Sequence, residues 1–296
     1  MTMSLSAYEL FSAIAEYGNM TKAAESMHIT PSAASHAISA LEKSFGFPLL
    51  YRDRNGTTLT KDGECLLPQI RAILSQEACL QERVSQIKGM EKGTVGIGVI
   101  DSVCRNWLPG ILRSFQEKYP NIEVRIYQEG YHAIEQMLLD NTIDMGFLSL
   151  PTADKFTTVT LAHDRLLCVT PMDYEPLNGS YVTVEDLRTL TLILAQRGYD
   201  RIMREFLEAN QLVLDPRYVI NLDHSVLAMV ESGIGCSILP ELVLQNCEGH
   251  YRVYPIENNI YRTIALATLR GRSLSLAGEK MIQEIRTNVE RYLKRS

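Results

Sequence analysis

Residues 20–46, MTKAAESMHITPSAASHAISALEKSFG, have the pattern of two short helices joined by a tight turn. We expect Thr21 to cap the first helix. Thr30 should cap the second, with Pro31 at the first helical position, where its missing N–H costs no hydrogen bond. One stripe of the second helix is apolar and another is polar, so the pair is either a corner of a helical core or a pair that reads DNA. The polar stripe consists of Ser32, Ser35, His36 and Ser39.

Helix and strand patterns continue on both sides of this stretch. Before it, an apolar helical pattern ends at Gly18-Asn19, which is typical of a helix end. After it, PLLYRDRNGTTLT (48–60) predicts two short strands around the turn Asn55-Gly56. From 60 to 88 the pattern is one long helix whose apolar residues recur in steps of four and three. This favours pairing with a second copy of the chain over packing on its own chain. The apolar residues are Leu66, Ile70, Ile73, Leu80, Val84 and Ile87.

Beyond residue 89, strands and helices alternate. Short strands separated by single helices indicate a parallel sheet with helices on its faces. The pattern restarts after residue 171, so we expect two similar α/β lobes with a small-molecule site in the cleft between them. We predict strands at 94–99, 122–129, 143–149, 191–195, 217–223, 236–240 and 263–269, and helices that include 103–119, 132–141 and 275–293.

The charge balance argues against a DNA-binding surface that covers a whole domain. The chain has a formal net charge of -6 and a pI of about 5.6. DNA binding would therefore need locally placed bases, and a dimer would double the phosphate contacts. Within the first 60 residues the bases are Lys22, Lys43, Arg52 and Arg54, and the acids are Glu9, Glu16, Glu25, Glu42 and Asp53.

Other classes of protein have little support in the sequence. No apolar run approaches the roughly 20 residues of a membrane helix, and the start MTMSLSAYELF lacks a basic segment and a cleavage site. We therefore expect a cytoplasmic protein. The motifs GxSxG, GxxxxGK[ST] and HExxH are missing, which argues against an enzyme. The six cysteines lack metal-ligand spacing, so we expect free thiols and no metal or cofactor. The alternatives are a small-molecule receptor and a thiol redox sensor that uses Cys236 and Cys247.

The order of these features resembles that of LysR-type transcriptional regulators. AAESMHITPSAASHAISALEKSFGFPLLYRDRNGTTLTKDGE (23–64) is similar to their N-terminal winged helix-turn-helix. TVGIGV (94–99), LLDNTIDMGFL (138–148) and VLAMVESGIGCSILP (226–240) are similar to their effector-binding lobes. The resemblance covers essentially the whole chain. It implies an all-α winged helix-turn-helix domain, a long linker helix and two α/β lobes like those of type 2 periplasmic-binding proteins.

The resemblance also implies domain boundaries and partners. We expect a DNA-binding domain at 1–60, a linker and dimerisation helix at 61–89 and an effector-binding domain at 90–296. Lobe I would comprise about 90–163 and 265–296, and lobe II about 164–264, with the chain crossing between them near 161–169 and 262–269. The implied partners are promoter DNA, a small-molecule effector, further copies in a homodimer or dimer of dimers, and RNA polymerase as a further candidate.

The resemblance assigns the polar stripe of the second helix to the major groove of DNA. Family members commonly carry glutamine at the position of Pro31 and arginine at that of His36, so their contacts cannot be copied whole. The alternatives are a solvated surface for the stripe and an internal salt bridge for Arg52. The candidate DNA-binding residues are Thr21, Thr30, Ser32, Ser35, His36, Ser39, Arg52 and Arg54.

Candidate effector residues follow the predicted strands, because ligands of α/β sheets bind beyond the carboxyl ends of strands. Ser102 matches a position where the family usually carries a ligand-binding Ser or Thr. Arg197 would suit a carboxylate or another anion, whereas Asp101 and Asp223 would favour an amine or a polar neutral ligand. The candidates are Ser102, Val103, Ser149, Gln196, Arg197, His224 and Ser225.

Overall fold

The chain divides into two units, residues 1–93 with 139–142 and residues 94–138 with 143–296. No helix in the described part of the chain is long and apolar enough to cross a membrane. The computed structural model describes residues 4–53, 56–87, 92–194, 201–213, 218, 220 and 222–294.

The first unit begins with three helices, α1 (Leu5–Tyr17), α2 (Met20–Ser26) and α3 (Pro31–Phe45). Gly18 ends α1 in the left-handed conformation, with φ of 61°, and His28 has φ of 56° in the turn between α2 and α3. The apolar stripes of the three helices meet in one core, as the helical spacing predicts. Its fully buried side chains are Phe11, Ala23, Ala24, Ala34, Ile38 and Leu49.

Of the two predicted N-terminal caps, the one of α3 is confirmed and the one of α2 is wrong. Thr30 Oγ1 accepts a hydrogen bond from the Ala33 N–H at 3.2 Å and Pro31 begins α3, which confirms the prediction there. The predicted Thr21 cap is wrong. Asn19 caps α2 instead, because the helix begins at residue 20 and Thr21 lies inside its first turn.

A two-stranded hairpin follows α3. Its strands are β1 (Leu50–Asp53) and β2 (Gly56–Leu59), which pair antiparallel with Leu50 opposite Leu59. The predicted strands are confirmed, while Asn55 of the predicted turn lies outside the described residues. Glu42 Oε1 accepts hydrogen bonds from the backbone N–H groups of Leu49 and Leu50, at 2.8 and 3.1 Å. This carboxylate therefore fixes the start of the hairpin to α3.

The long helix α4 (Lys61–Ile87) completes the first unit, with Pro68 inside the helix as its eighth residue. Its predicted apolar seam is split between two environments. The N-terminal part, Leu66 and Ile70, packs with the core of the three helices. The later part is exposed: Ile73 is 45% exposed, Leu80 60%, Val84 37% and Ile87 87%.

In its described residues the second unit contains seven strands with helices between them. The strand order is β4-β3-β5-β9-β6-β7, with β8 also paired to β6. β3 and β5 are parallel, whereas β9 is antiparallel to both of its neighbours. The sheet is therefore mixed, and the expectation of a parallel sheet holds only for its first strands. The strands are β3 (Gly93–Val99), β4 (Ile122–Gln128), β5 (Met145–Leu150), β6 (Phe156–Pro171), β7 (Ser237–Pro240), β8 (Tyr251–Pro255) and β9 (Tyr261–Leu269).

Helices occupy the connections between these strands. The predicted helix at 103–119 is two helices, because the chain breaks at Trp107 just before Pro109. The strand predicted at 191–195 is reduced to an isolated bridge between Leu192 and Cys236. Of the strand predicted at 217–223, residues 217, 219 and 221 lie outside the described residues, and Asp223 begins α10. The helices are α5 (Asp101–Asn106), α6 (Leu108–Lys118), α7 (Tyr131–Leu139), α8 (Val184–Thr189), α9 (Arg201–Ala209), α10 (Asp223–Glu231), α11 (Glu241–Leu244) and α12 (Leu276–Leu293).

Strand β6 divides this unit into two lobes. Its residues 156–165 pair with β9, and its residues 166–171 pair with β7 and β8. The first sheet, with β3, β4 and β5, forms lobe I, and the second forms lobe II. The chain crosses between them next to the pair Asp164↔Arg262, inside the first predicted interval and at the edge of the second.

A buried carboxylate joins α6 to α12 in lobe I. Glu284 is 5% exposed and accepts hydrogen bonds from Ser114 Oγ, Lys118 Nζ and Asn288 Nδ2, each at 2.6 Å. Burial alone would raise the pKa of Glu284, but the hydrogen bonds from Lys118, Ser114 and Asn288 lower it below its ordinary value. Glu284 therefore contributes stability above the ordinary pKa of glutamate, and this contribution is lost as the pH falls through the lowered value.

We predict that Glu284→Gln lowers the free energy of unfolding at pH 7 by about 1–3 kcal/mol, because it removes the charged acceptor of three hydrogen bonds. The difference should shrink as the pH falls below 4.5, the ordinary value for glutamate. Urea denaturation at several pH values measures both effects. Glu290→Gln, at an exposed position of the same helix, is the matched control and should change stability by less than about 0.5 kcal/mol. Equal losses in the two variants would contradict this account.

Candidate DNA-binding surface and effector cavity

The polar stripe of α3 is accessible, as a DNA-reading surface requires. Ser32, His36 and Ser39 are exposed, and Ser35 is half-buried. Arg52 on β1 reaches across to the helix, and its Nη1 donates a hydrogen bond to Ser35 Oγ at 2.8 Å. Among the described residues, Arg52 forms this bond to a hydroxyl and no ion pair with an acid. A guanidinium has five N–H donors in a planar fork, so this bond orients Arg52 and leaves donors for phosphate.

The remaining candidates lie at the edges of this surface. Thr21 and Thr30 are exposed in the first turn of α2 and at the N-terminus of α3. The Thr30 hydroxyl already accepts the capping bond of α3, so it can offer only its hydrogen to a phosphate. Arg54 lies outside the described residues.

A cavity of about 240 Å³ lies in the second unit, beyond the carboxyl ends of β3 and β4. Its walls include residues of both lobes. Residues 100–102 and 128–131 come from lobe I, and residues 222–224 at the start of α10 come from lobe II. Arg262 lies at the crossing between the lobes. The position agrees with the rule that ligands of α/β sheets bind where strands lead into helices.

One buried arginine organises the wall of this cavity. Arg262 on β9 is 4% exposed, and its Nε and Nη2 lie 2.8 and 2.6 Å from Asp164 Oδ2 on β6. Nη2 also donates to Ser102 Oγ at 2.8 Å, and Nη1 donates to Tyr131 Oη at 3.0 Å. The other oxygen of Asp164 accepts the Leu242 N–H at 2.9 Å. A buried charge needs such a complete set of partners, because desolvation would otherwise make it very costly.

From the sequence, Arg262 was expected only near a crossing between the lobes, and neither Arg262 nor Tyr131 was predicted to line the cavity. The one local sign of the role of Arg262 is its position as a charged residue directly before the apolar strand TIALATL, where a buried arginine needs a partner.

Two further acids lie in the cavity wall. Asp101 Oδ1 accepts a hydrogen bond from Gln128 Nε2 at 2.9 Å, and its Oδ2 lies 3.9 Å from Arg105 Nη1. Burial raises the pKa of Asp223 above its ordinary value; Arg262 opposes this shift and the Asp101 carboxylate adds to it. The two carboxylates are therefore close enough to repel each other within one cavity.

The predicted effector residues are not all brought together. Ser102 and His224 line the cavity, whereas Ser149 lies opposite Ile264 on β5. Val103 is fully buried in lobe I, because it faces away from the cavity on the short helix α5. Ser225 is exposed on α10 beyond the described lining. Gln196 and Arg197 lie outside the described residues.

The cysteines bear on the redox alternative. Cys236 is fully buried with Cys168 in the cluster between β6, α8 and α9, whereas Cys247 packs on a different cluster and accepts a hydrogen bond from Arg105 Nη2 at 3.2 Å. A hydrogen bond with Cys236 and burial raise the pKa of Cys168 well above its usual value. Because the reactive form of a cysteine is the thiolate, these features disfavour oxidation of Cys168. Cys236 and Cys247, the pair of the redox alternative, lie in separate clusters.

Comparison with known proteins agrees with this arrangement. A model of the bacterial regulatory helix-turn-helix proteins of the lysR family matches residues 5–64, and a model of the LysR substrate binding domain matches residues 88–290. The uncharacterized HTH-type transcriptional regulator YvbU of Bacillus subtilis (strain 168) is 28% identical over 284 residues, which cover 95% of this chain and 97% of that protein.

Two solved structures have the same fold. A full-length OxyR variant from Pseudomonas aeruginosa has a TM-score of 0.76 and 20% identity, over 96% of this chain and 98% of that chain. Full-length CbnR complexed with its target DNA has a TM-score of 0.65 and 21% identity, over 97% of this chain and 100% of that chain.

The helix-turn-helix followed by a two-lobed ligand domain defines a DNA-binding transcriptional regulator, not an enzyme. The chain belongs to the LysR family of these regulators.

We predict that Asp164→Asn destabilises the protein by about 3–5 kcal/mol, because it leaves the Arg262 charge buried without its counter-ion. Chemical denaturation followed by circular dichroism measures this loss. Glu241→Gln is the matched control, since it removes an exposed acid that lies 3.7 Å from Arg165, and it should cost less than about 1 kcal/mol. A small loss for Asp164→Asn would show that the pair is not the anchor of the cavity wall.

Proposed function

We propose that the exposed stripe of α3 reads the major groove of promoter DNA and that Arg52 holds the phosphate backbone beside it. This proposal rests on the exposure of Ser32, His36 and Ser39 on the second helix of a helix-turn-helix. His36 has the only imidazole of the stripe and therefore has the most distinctive donor chemistry, since serine can donate or accept. Arg52, oriented by Ser35, supplies to this surface one of the few positive charges of the first 60 residues.

We further propose that a small-molecule effector in the 240 Å³ cavity controls DNA binding or activation. Ser102 is the effector residue supported best, because its hydroxyl lines the cavity and is oriented by Arg262. Its proton remains available for a ligand, since the oxygen accepts the arginine bond. The cavity draws its walls from both lobes, so a ligand that touches both can favour one arrangement of them.

The exposed apolar residues of α4 support a proposal on the oligomeric state, because they give this chain a surface for pairing. We propose a homodimer through this surface, with a dimer of dimers, RNA polymerase contact and a cytoplasmic location as further parts of the proposal. We also propose the domain limits 1–60, 61–89 and 90–296, with lobes near 90–163 and 265–296 and near 164–264.

We predict different DNA-binding defects for two variants of the reading surface. His36→Ala should weaken binding to the specific site by roughly tenfold and non-specific binding little, because it removes a base contact. Arg52→Ala should weaken both and lower the slope of log K against log salt by about 1, because it removes a phosphate contact. Fluorescence anisotropy with the DNA upstream of its own operon, over a salt series, measures both.

Arg188→Ala, which removes the same charge from an exposed position in lobe II, is the control for the two DNA variants and should bind DNA normally. If neither His36→Ala nor Arg52→Ala alters specific affinity at physiological salt, the assignment of α3 as the reading helix is wrong.

We predict that Leu80→Glu disrupts the oligomer, because it places a charge in the exposed apolar stripe of α4. Sedimentation velocity should then show a smaller species and DNA affinity should fall, since fewer phosphates are contacted per particle. Gln86→Glu adds the same charge to an exposed position off the stripe and should leave the oligomer intact. An unchanged sedimentation coefficient for Leu80→Glu would exclude α4 as the pairing surface.

A further inference from the structure

The effector cavity has an acidic lining. Among the described residues that line it, Asp101, Glu129 and Asp223 carry carboxylates and Arg262 carries a guanidinium. That guanidinium is already paired with the buried Asp164, through two nitrogens on one carboxylate oxygen. Its charge is therefore balanced from behind the wall. Three carboxylates and one guanidinium that is already paired are therefore the charged groups among the described lining residues.

The carboxylate of Asp223 forms no hydrogen bond or ion pair with a side chain in the described part of the chain. Asp223 occupies the first position of α10 and is half-buried. Burial raises its pKa; Arg262, His224 and Arg105 oppose this shift, Asp101 adds to it, and the net shift is upward. Burial therefore penalises the ionised form, and a cation beside Asp223 would relieve the penalty.

The size and composition of the site narrow the kind of cation. A volume of about 240 Å³ is below the lower end of typical ligand pockets, about 300–1,000 Å³. No group of three or more His, Cys, Asp or Glu in the described residues is arranged to hold a metal ion. Carboxylates that line one small cavity suit an organic ammonium group, which offers three N–H donors.

We propose that the effector is a small organic amine whose ammonium group lies between Asp101 and Asp223. This rests on the assignment of the cavity as the effector site. It decides between the two ligand classes that the sequence leaves open, an anion and an amine. An anion would bring a like charge toward three carboxylates, whereas an amine would neutralise two of them. The Ser102 hydroxyl and the Tyr131 ring, both fixed by Arg262, would contact the remainder of the ligand.

The test uses three probes of one carbon skeleton and the full chain at pH 8, where an ordinary imidazole is uncharged. The probes are the four-carbon diamine putrescine, the corresponding diol and the corresponding dicarboxylate, succinate. Putrescine should raise Tm and give a measurable Kd by calorimetry, while the diol and succinate should do neither. Binding of succinate, equal binding of the diol, or no binding by any of the three would overturn the proposal.

Two variants locate the binding. Asp223→Asn should raise the Kd for putrescine by about tenfold or more, while its Tm in the absence of ligand stays the same or rises, since a poorly solvated charge is removed. Asp173→Asn, at an exposed position outside the described lining, is the matched control and should bind putrescine normally. Unchanged binding by Asp223→Asn would place the amine elsewhere.

DNA binding by the same samples separates this proposal from the proposed function. Intact DNA binding without putrescine binding would mean that the ligand class is wrong and that the DNA-reading role stands. Putrescine binding without DNA binding would mean that the ligand class is right and that the DNA-reading role is wrong.

Discussion

The buried ion pair between Arg262 and Asp164 is the interaction on which the ligand-binding unit depends. It joins β9 to β6 where both strands pass from one lobe to the other. The same guanidinium fixes Ser102 and Tyr131 in the cavity wall. Because both charges are buried, neither can leave without exposing the other to a medium that solvates it poorly. The crossing of the lobes and the shape of the cavity therefore have a common origin.

The DNA-binding unit has few positive charges with which to attract DNA. The chain is acidic, and its first 60 residues hold few bases, so broad attraction to phosphate is weak. The position of these basic residues compensates for their small number. Glu42 holds the start of the hairpin to α3 through two backbone N–H groups, and Arg52 on the first strand then bonds to Ser35 on that helix. One of the few bases is thus held beside the reading surface instead of moving freely in solvent, which reduces the entropy lost on binding.

Features that depend on near neighbours in sequence were predictable. The Thr30 cap and Pro31 follow from the local rules of helix ends, and the strands of the hairpin follow from its turn residues. The cluster around Arg262 was not predictable, because its partners lie 98, 131 and 160 residues away in the sequence and no local pattern indicates them.

A difference of one or two residues between a predicted and an observed position had large consequences for the predicted role of a side chain. Asn19 takes the cap that suits Thr21 equally well by composition, because the helix begins one residue earlier. Ser102 and Val103 both follow β3, yet successive helix positions differ by about 100° in direction, so one lines the cavity and the other is buried. Such differences are set by packing between distant elements, which sequence periodicity does not encode.

Leu242 of α11 connects the cavity wall to lobe II through both of its backbone polar groups. Its N–H donates to Asp164, and its carbonyl accepts a hydrogen bond from Asn106 Nδ2 at 2.8 Å. Asn106 also donates to the Ser102 carbonyl, one turn earlier on α5. Arg262 is therefore linked to Leu242 through Asp164, and Ser102 is linked to it through Asn106. Binding can shift an equilibrium only by the difference in its affinity for two arrangements. Because Ser102 and Arg262 both line the cavity, a ligand that displaces them acts on the partners of both hydrogen bonds at Leu242.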